Sequence, residues 1–156
     1  MVDTGATGNV AGSQWVDRCA ALAQSHGQGT SRTPYDRPKT LDGVGAGAST
    51  CKESAVVPIA LPDGSTGVFG CMVIDQSPVP ALLGKESMMK HNVLLDVKNG
   101  NFIVCGEGGY SMKLSPGSRL LRMTMAPSGH WLLPVSEWAK AQPSKAQTVL
   151  FTEDDE

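Results

Sequence analysis

The chain has 156 residues, 40% of them apolar and 18% charged, with 13 Lys and Arg against 15 Asp and Glu for a formal net charge of −2. That length suits one domain whose core needs no metal or disulfide staple, and the scattered basic residues exclude a nucleic-acid-binding stripe. An apolar run of about 18 residues is absent, as is a charged-then-apolar leader, so the expected product is soluble, intracellular and cytoplasmic, with no membrane partner.

Eighteen glycines and ten prolines interrupt short apolar runs, the pattern of an all-β domain with many turns. Asp3-Thr4-Gly5 stands at the front, and on its own is a turn-forming string. Ser13 is a capping residue ahead of Trp15, Cys19 and Leu22, which recur at helical spacing until Gly27. The Gly-rich string TLDGVGAGAST follows, and without a Gly-Lys-Ser/Thr ending or a helix behind it, it is no phosphate loop. Residues 55–61 and 67–75 read as strands joined by Pro62-Asp63-Gly64-Ser65, where Asp-Gly supplies the turn. Leu82-Leu83-Gly84 opens a short helix over 85–90. A second hairpin pairs 93–98 with 101–105 around Asn99-Gly100. Beyond Gly106, residues 110–114, 119–125 and 130–135 suggest further short strands, then a helical turn over 136–141 and an acidic tail or linker over 142–156.

Cys19, Cys51, Cys71 and Cys105 lie far apart with no C-x-x-C pair, and His26, His91 and His130 are equally dispersed, so no zinc site is expected and the thiols read as small buried groups. Trp15, Trp131 and Trp138 are expected to fill cores. Met88 and Met89 suit helix packing, His91 and His130 suit turns or surface, and Asp96 receives no role.

Three companions change the meaning of Asp-Thr-Gly: Ala6 follows it, Leu82-Leu83-Gly84 opens a helix downstream, and a Gly-rich hairpin candidate lies between. In this order "VDTGAT" and "PALLGKESMMKHNVLLDVKNGNF" resemble the retropepsins, the aspartic proteases of retroviruses and retrotransposons. "SGHWLLPVSEW" is similar to the end of protease regions in copia-like retroelement polyproteins, particularly those of protists. The resemblance implies an all-β closed barrel of the acid-protease type with one or two short helices over residues 1–108, a C-terminal β extension over 109–141, and an aspartic endopeptidase that cuts polyprotein peptide bonds.

Such chemistry needs two carboxylates sharing a proton, because like charges a few ångströms apart do not both ionise cheaply. No second Asp-Thr-Gly exists, and Asp42-Gly43 and Asp63-Gly64 lack the hydroxyl residue, so the expected partner is a second copy in a two-fold homodimer. By resemblance Asp3 is the shared acid and base, Thr4 braces the two loops, Gly5 leaves room for water, and Ala6 borders the cleft. Gly43, Val44 and Gly45 belong to the flap over substrate, Leu82, Leu83 and Gly84 support the loop from behind, and neither cofactor nor metal is required. Retropepsins place an apolar strand ahead of this loop where the sequence has only Met1 and Val2, so either a preceding segment or the strands after Tyr110 would complete the barrel wall. The rival expectations are a catalytically inactive, dimerising remnant of the same fold, and an all-β scaffold in which Asp-Thr-Gly is merely a turn.

Overall fold

Alternating apolar residues on either side of Asp63-Gly64 pair two strands into the hairpin on which the fold is assembled. The computed structural model describes residues 1–42 and 47–137, which fall into two units, Met1–Lys113 and Leu114–Glu156. The first contains β1 (Val10–Gly12), α1 (Ser13–Ser25), β2 (Ser31–Leu41), β3 (Ser49–Ala60), β4 (Thr66–Ile74), α2 (Lys85–Lys90), β5 (Val93–Asp96) and β6 (Asn101–Val104). One sheet has the order β1-β4-β3-β2, with β1 parallel to β4 and the other pairs antiparallel. β5 and β6 form a separate antiparallel pair. The described residues are thus mainly strand with two helices, the all-β class expected, and no helix among them is long and apolar enough to cross a membrane.

The β3–β4 turn forms where Asp-Gly required it. Asp63 Oδ1 accepts from the Ser65 amide at 2.9 Å and the Ser65 hydroxyl at 2.6 Å, and the hydroxyl bond, more than the amide, holds this carboxyl below its ordinary pKa. Farther along, Cys51 pairs with Ile74 but Glu53 with Val73, so Lys52 is an extra residue in the ladder. That bulge turns Cys51 to the face opposite Ala55 and Val57. One face of the sheet therefore packs Ala55, Val57, Phe69, Cys71 and Val73 beneath Val16 of α1, and the other carries a smaller cluster of Val10, Cys51 and Ile74. Trp15 fills the first cluster as expected, edge-on to Phe69 with ring centroids 5.6 Å apart. Arg32 on β2 ties Asp17 of α1 to Glu53 of β3.

α1 begins one residue earlier than a Ser13 cap would allow. Its N-cap is Gly12, with no side-chain cap bond, because a Cβ there would sit 2.3 Å from the Ser77 carbonyl oxygen. It ends as expected: Gly27 N donates to Gln24 O and Gln28 N to Ala23 O, which satisfies two carbonyls of the last turn. In α2, Met88 is buried but Met89 is half exposed, so only one of the two packs inward.

In the unit Leu114–Glu156 the described strands are β7 (Thr124–Met125) and β8 (Trp131–Leu132), an antiparallel pair closed by Ala126 N donating to His130 O at 2.8 Å. Residues 110–114 form no strand, and of 119–125 and 130–135 only these two-residue pieces do. The apolar letters there meet no covering layer within the unit: Leu120 is 72% exposed and Val135 80%, so no buried face holds a longer register. Trp131, 44% exposed, is likewise not the core residue expected. The expected helical turn over 136–141 reaches beyond the described residues, and Trp138 and the tail over 142–156 lie wholly outside them.

Candidate active site

The front loop is built against the segment Leu82-Leu83-Gly84, which runs between its two arms. On one side Val2 bridges Leu83 in parallel, with Leu83 N donating to Met1 O at 2.8 Å and Asp3 N to Leu83 O at 3.0 Å. On the other, Val10 and Leu82 exchange both backbone bonds, Leu82 N to Val10 O at 2.7 Å and Val10 N to Leu82 O at 3.2 Å. Leu82 is buried, and Leu83 packs against the cluster under α1. The apolar pair therefore anchors in the core while its backbone carries the loop.

Between the arms the chain turns at Asp3-Thr4-Gly5. Asp3 Oδ1 accepts from the amides of Gly5 at 2.9 Å and Ala6 at 3.1 Å, the local bond by which an aspartate closes a turn on itself. Among the described residues Oδ2 of Asp3 accepts no hydrogen bond. Asp3 and Ala6 are half-buried, whereas Thr4 and Gly5 are exposed. The trailing arm docks on α2: Lys85 N donates to Ala6 O at 2.8 Å and Glu86 N to Thr7 O at 3.0 Å, so loop carbonyls satisfy amides that a helix start leaves without partners. Gly84 is the tightest point. A Cβ there would lie 2.4 Å from Gly8 O and 2.5 Å from Gly8 C, closer than any side chain tolerates.

The sequence-level site residues thus divide. Asp3, Thr4, Gly5 and Ala6 form one turn, with Leu82, Leu83 and Gly84 directly behind it. Gly43, Val44 and Gly45 lie outside the described residues. Their flanks are β2 and β3, which pair as far as Leu41 and Ser49. At the loop end of this hairpin a cleft of about 450 Å³ opens between Ser49 and Thr50 on one side and Gln76, Ser77 and Pro78 on the other.

Asn9 was not recognised from the sequence. Its side chain donates to Gly70 O and accepts from Gly84 N, both at 2.9 Å, across separations of 61 and 75 residues, so no local pattern announces it. Burial under α1, then the neighbouring Cys51, pushes the Cys71 thiol up to about 11, and burial raises Cys51 and Cys19 as well. Asp96, given no role above, organises the β5–β6 turn by accepting from Asn99 N, Asn99 Nδ2 and Asn101 Nδ2. Among the described residues no cluster of three His, Cys, Asp or Glu is arranged to hold a metal ion.

No family model and no curated protein matches the chain. Among solved structures it is similar to the retroviral protease-like domain of Ddi1 from Leishmania major, at 19% identity and a TM-score of 0.46, over 67% of this chain and 75% of that one.

Proposed function

We propose that the unit Met1–Lys113 is a retropepsin-like aspartic endopeptidase that acts as a homodimer on extended peptide segments of a retroelement polyprotein. The observation that supports this reading most is the presentation of Asp3: its amide is held from behind by Leu83, Oδ1 is pinned by two amides, and Oδ2 is uncommitted among the described residues. A carboxyl so fixed presents its second oxygen to a water or to a twin carboxyl. In the two-fold pair one Asp3 is ionised and the other protonated, since their proximity penalises double ionisation. The ionised member takes a proton from water as the water oxygen bonds to the scissile carbonyl carbon, and the protonated member gives its proton to the carbonyl oxygen. The resulting diol collapses: the C–N bond breaks, the amine leaves with the proton taken from water, and one diol hydroxyl returns its proton to the other Asp3 as the acid's C=O re-forms.

Thr4, exposed beside Asp3, braces the partner loop in this scheme, and Gly5 exposes backbone to the water. Ala6 borders the cleft, Gly43, Val44 and Gly45 belong to the flap that excludes solvent, and Leu82, Leu83 and Gly84 support the loop. Substrate adds as a strand, with affinity from main-chain hydrogen bonds and selectivity from side-chain pockets. The test is cleavage of a broad peptide library at mildly acidic pH, with inhibition by a statine-type mimic of the diol. Asp3→Asn is expected to lower kcat/KM at least about a thousandfold while leaving the fold intact, because an Asn oxygen still accepts from Gly5 and Ala6. Retained cleavage by that variant, or a strictly monomeric wild type in sedimentation with the mimic present, refutes the proposal.

A further inference from the structure

The loop that carries Asp3 meets the rest of the molecule at three places, and one side chain touches two of them. Asn9 donates through Nδ2 to the carbonyl of Gly70 on β4 and accepts through Oδ1 from the amide of Gly84. Its own carbonyl accepts from Met72 N at 3.1 Å. The carboxamide orientation is unambiguous: flipped, it would set N–H₂ against an N–H and C=O against a C=O. Gly84 lies between the two groups that hold the catalytic turn, Leu83 O on Asp3 N and Lys85 N on Ala6 O. A bond to the Gly84 amide therefore sets both holding groups at once, and the bond to Gly70 ties them to the sheet.

We infer that Asn9 is a positioning residue for the Asp3 turn, a two-ended clamp that needs one donor and one acceptor at opposite ends of a rigid amide. This rests on the reading of Asp3 as the reacting carboxyl. The clamp makes an unusual demand of its substitutes. Asn9→Ala leaves a donor and an acceptor unpaired. Asn9→Asp keeps the size and the acceptor, but its ionised form turns a carboxylate toward the Gly70 carbonyl. Once protonated, its hydroxyl donates there as the Asn did. The titratable groups lining the shallow groove at Asn9 are Tyr35, Cys71 and Glu86, of which Glu86 is the carboxylate. Asp3 stands in the adjoining turn.

The experiment measures amide hydrogen-exchange protection and peptide cleavage on the full chain for wild type, N9A and N9D, each at neutral and acidic pH, and repeats both in an E86Q background. In N9A the protection of Asp3, Gly84 and Lys85 is expected to fall about tenfold while Val57 and Phe69 in the central hairpin hold theirs, and kcat falls with KM little changed. In N9D the same losses appear at neutral pH and are reversed on acidification, relative to wild type at each pH and with or without Glu86. Unchanged protection at Asp3, Gly84 and Lys85 in N9A, or an N9D that does not respond to acid, overturns the inference. If N9A does not fold, the acid response of N9D decides alone. A wild type that cleaves nothing refutes the protease reading instead, and the exchange data still judge the clamp.

Discussion

Replacing Gly84 by Ala puts a methyl group into the contact between the apolar strap and the front loop. The added Cβ would stand 2.4 Å from Gly8 O, 2.5 Å from Gly8 C and 2.9 Å from Gly8 Cα, all backbone atoms that have no rotamer with which to retreat. The two backbones must part by about 1 Å to restore van der Waals separation. That displacement falls on three hydrogen bonds of 2.8 to 3.0 Å, from the amides of Gly84, Lys85 and Glu86 to Asn9, Ala6 and Thr7. Overpacking costs about 1–3 kcal/mol and each weakened bond up to about 1 kcal/mol, so the expected loss is about 2–5 kcal/mol. Against a typical stability of about 5–15 kcal/mol, this lowers Tm by about 10–20 °C. Thermal and urea denaturation of G84A beside G67A measures it. Gly67 is the matched control, because its added Cβ meets only Ile59 Cγ1 at 3.8 Å and a strand Ala in place of Gly is neutral to slightly stabilising. Equal midpoints for G84A and G67A would refute the close packing of strap on loop.

The Cys71 thiol, raised to about 11, is expected to react far more slowly with a thiol reagent near pH 8 than Cys105 does, with about one native molecule in a thousand carrying the thiolate. Because its folded value lies above the ordinary 9.0, the stability it contributes is fully present below pH 9 and declines as pH rises toward 11, which denaturation midpoints across that window report. Equal modification of Cys71 and Cys105 counts against this burial. Arg32→Ala removes a bridge among side chains 27% to 63% exposed, so the expected cost is at most about 1 kcal/mol, vanishing in about 1 M salt; a larger, salt-independent loss contradicts it. Asp96 is held below the ordinary 3.8, first by the Asn99 side chain and then by its amide, so its contribution is present above that value and lost as pH falls through the lower folded one. Amides of the 97–101 turn should lose protection in strong acid, and D96A should show the same loss at neutral pH. A D96A turn as protected as wild type would remove that role.

Much of the fold was legible where a few adjacent residues decide it. Asp63-Gly64 and Asn99-Gly100 announced two hairpins whose strands are joined by five and four residues respectively. The helical spacing of Trp15 and Cys19 with Gly27 bounded α1 to within a residue at its start. Leu82-Leu83-Gly84 was legible as a group, since an apolar pair before a glycine and a helix is a local string. The segments after Tyr110 were misread for the opposite reason: β-prone letters describe a strand only if a neighbouring surface buries one face, and here most of those side chains remain exposed.

From its letters alone the chain determined its turns, its two helices and the identity of the turn at Asp3, because each depends on backbone preferences and hydrogen bonds spanning a few positions. Only the tertiary structure decided that Gly84 must be a glycine, that Lys52 bulges to send Cys51 to the other face, and that Asn9 joins β4 to the strap. Those outcomes rest on which atoms lie side by side after folding. Partners 61 and 75 residues away are brought to 2.9 Å by packing of the sheet and strap, a proximity that no run of neighbouring residues encodes.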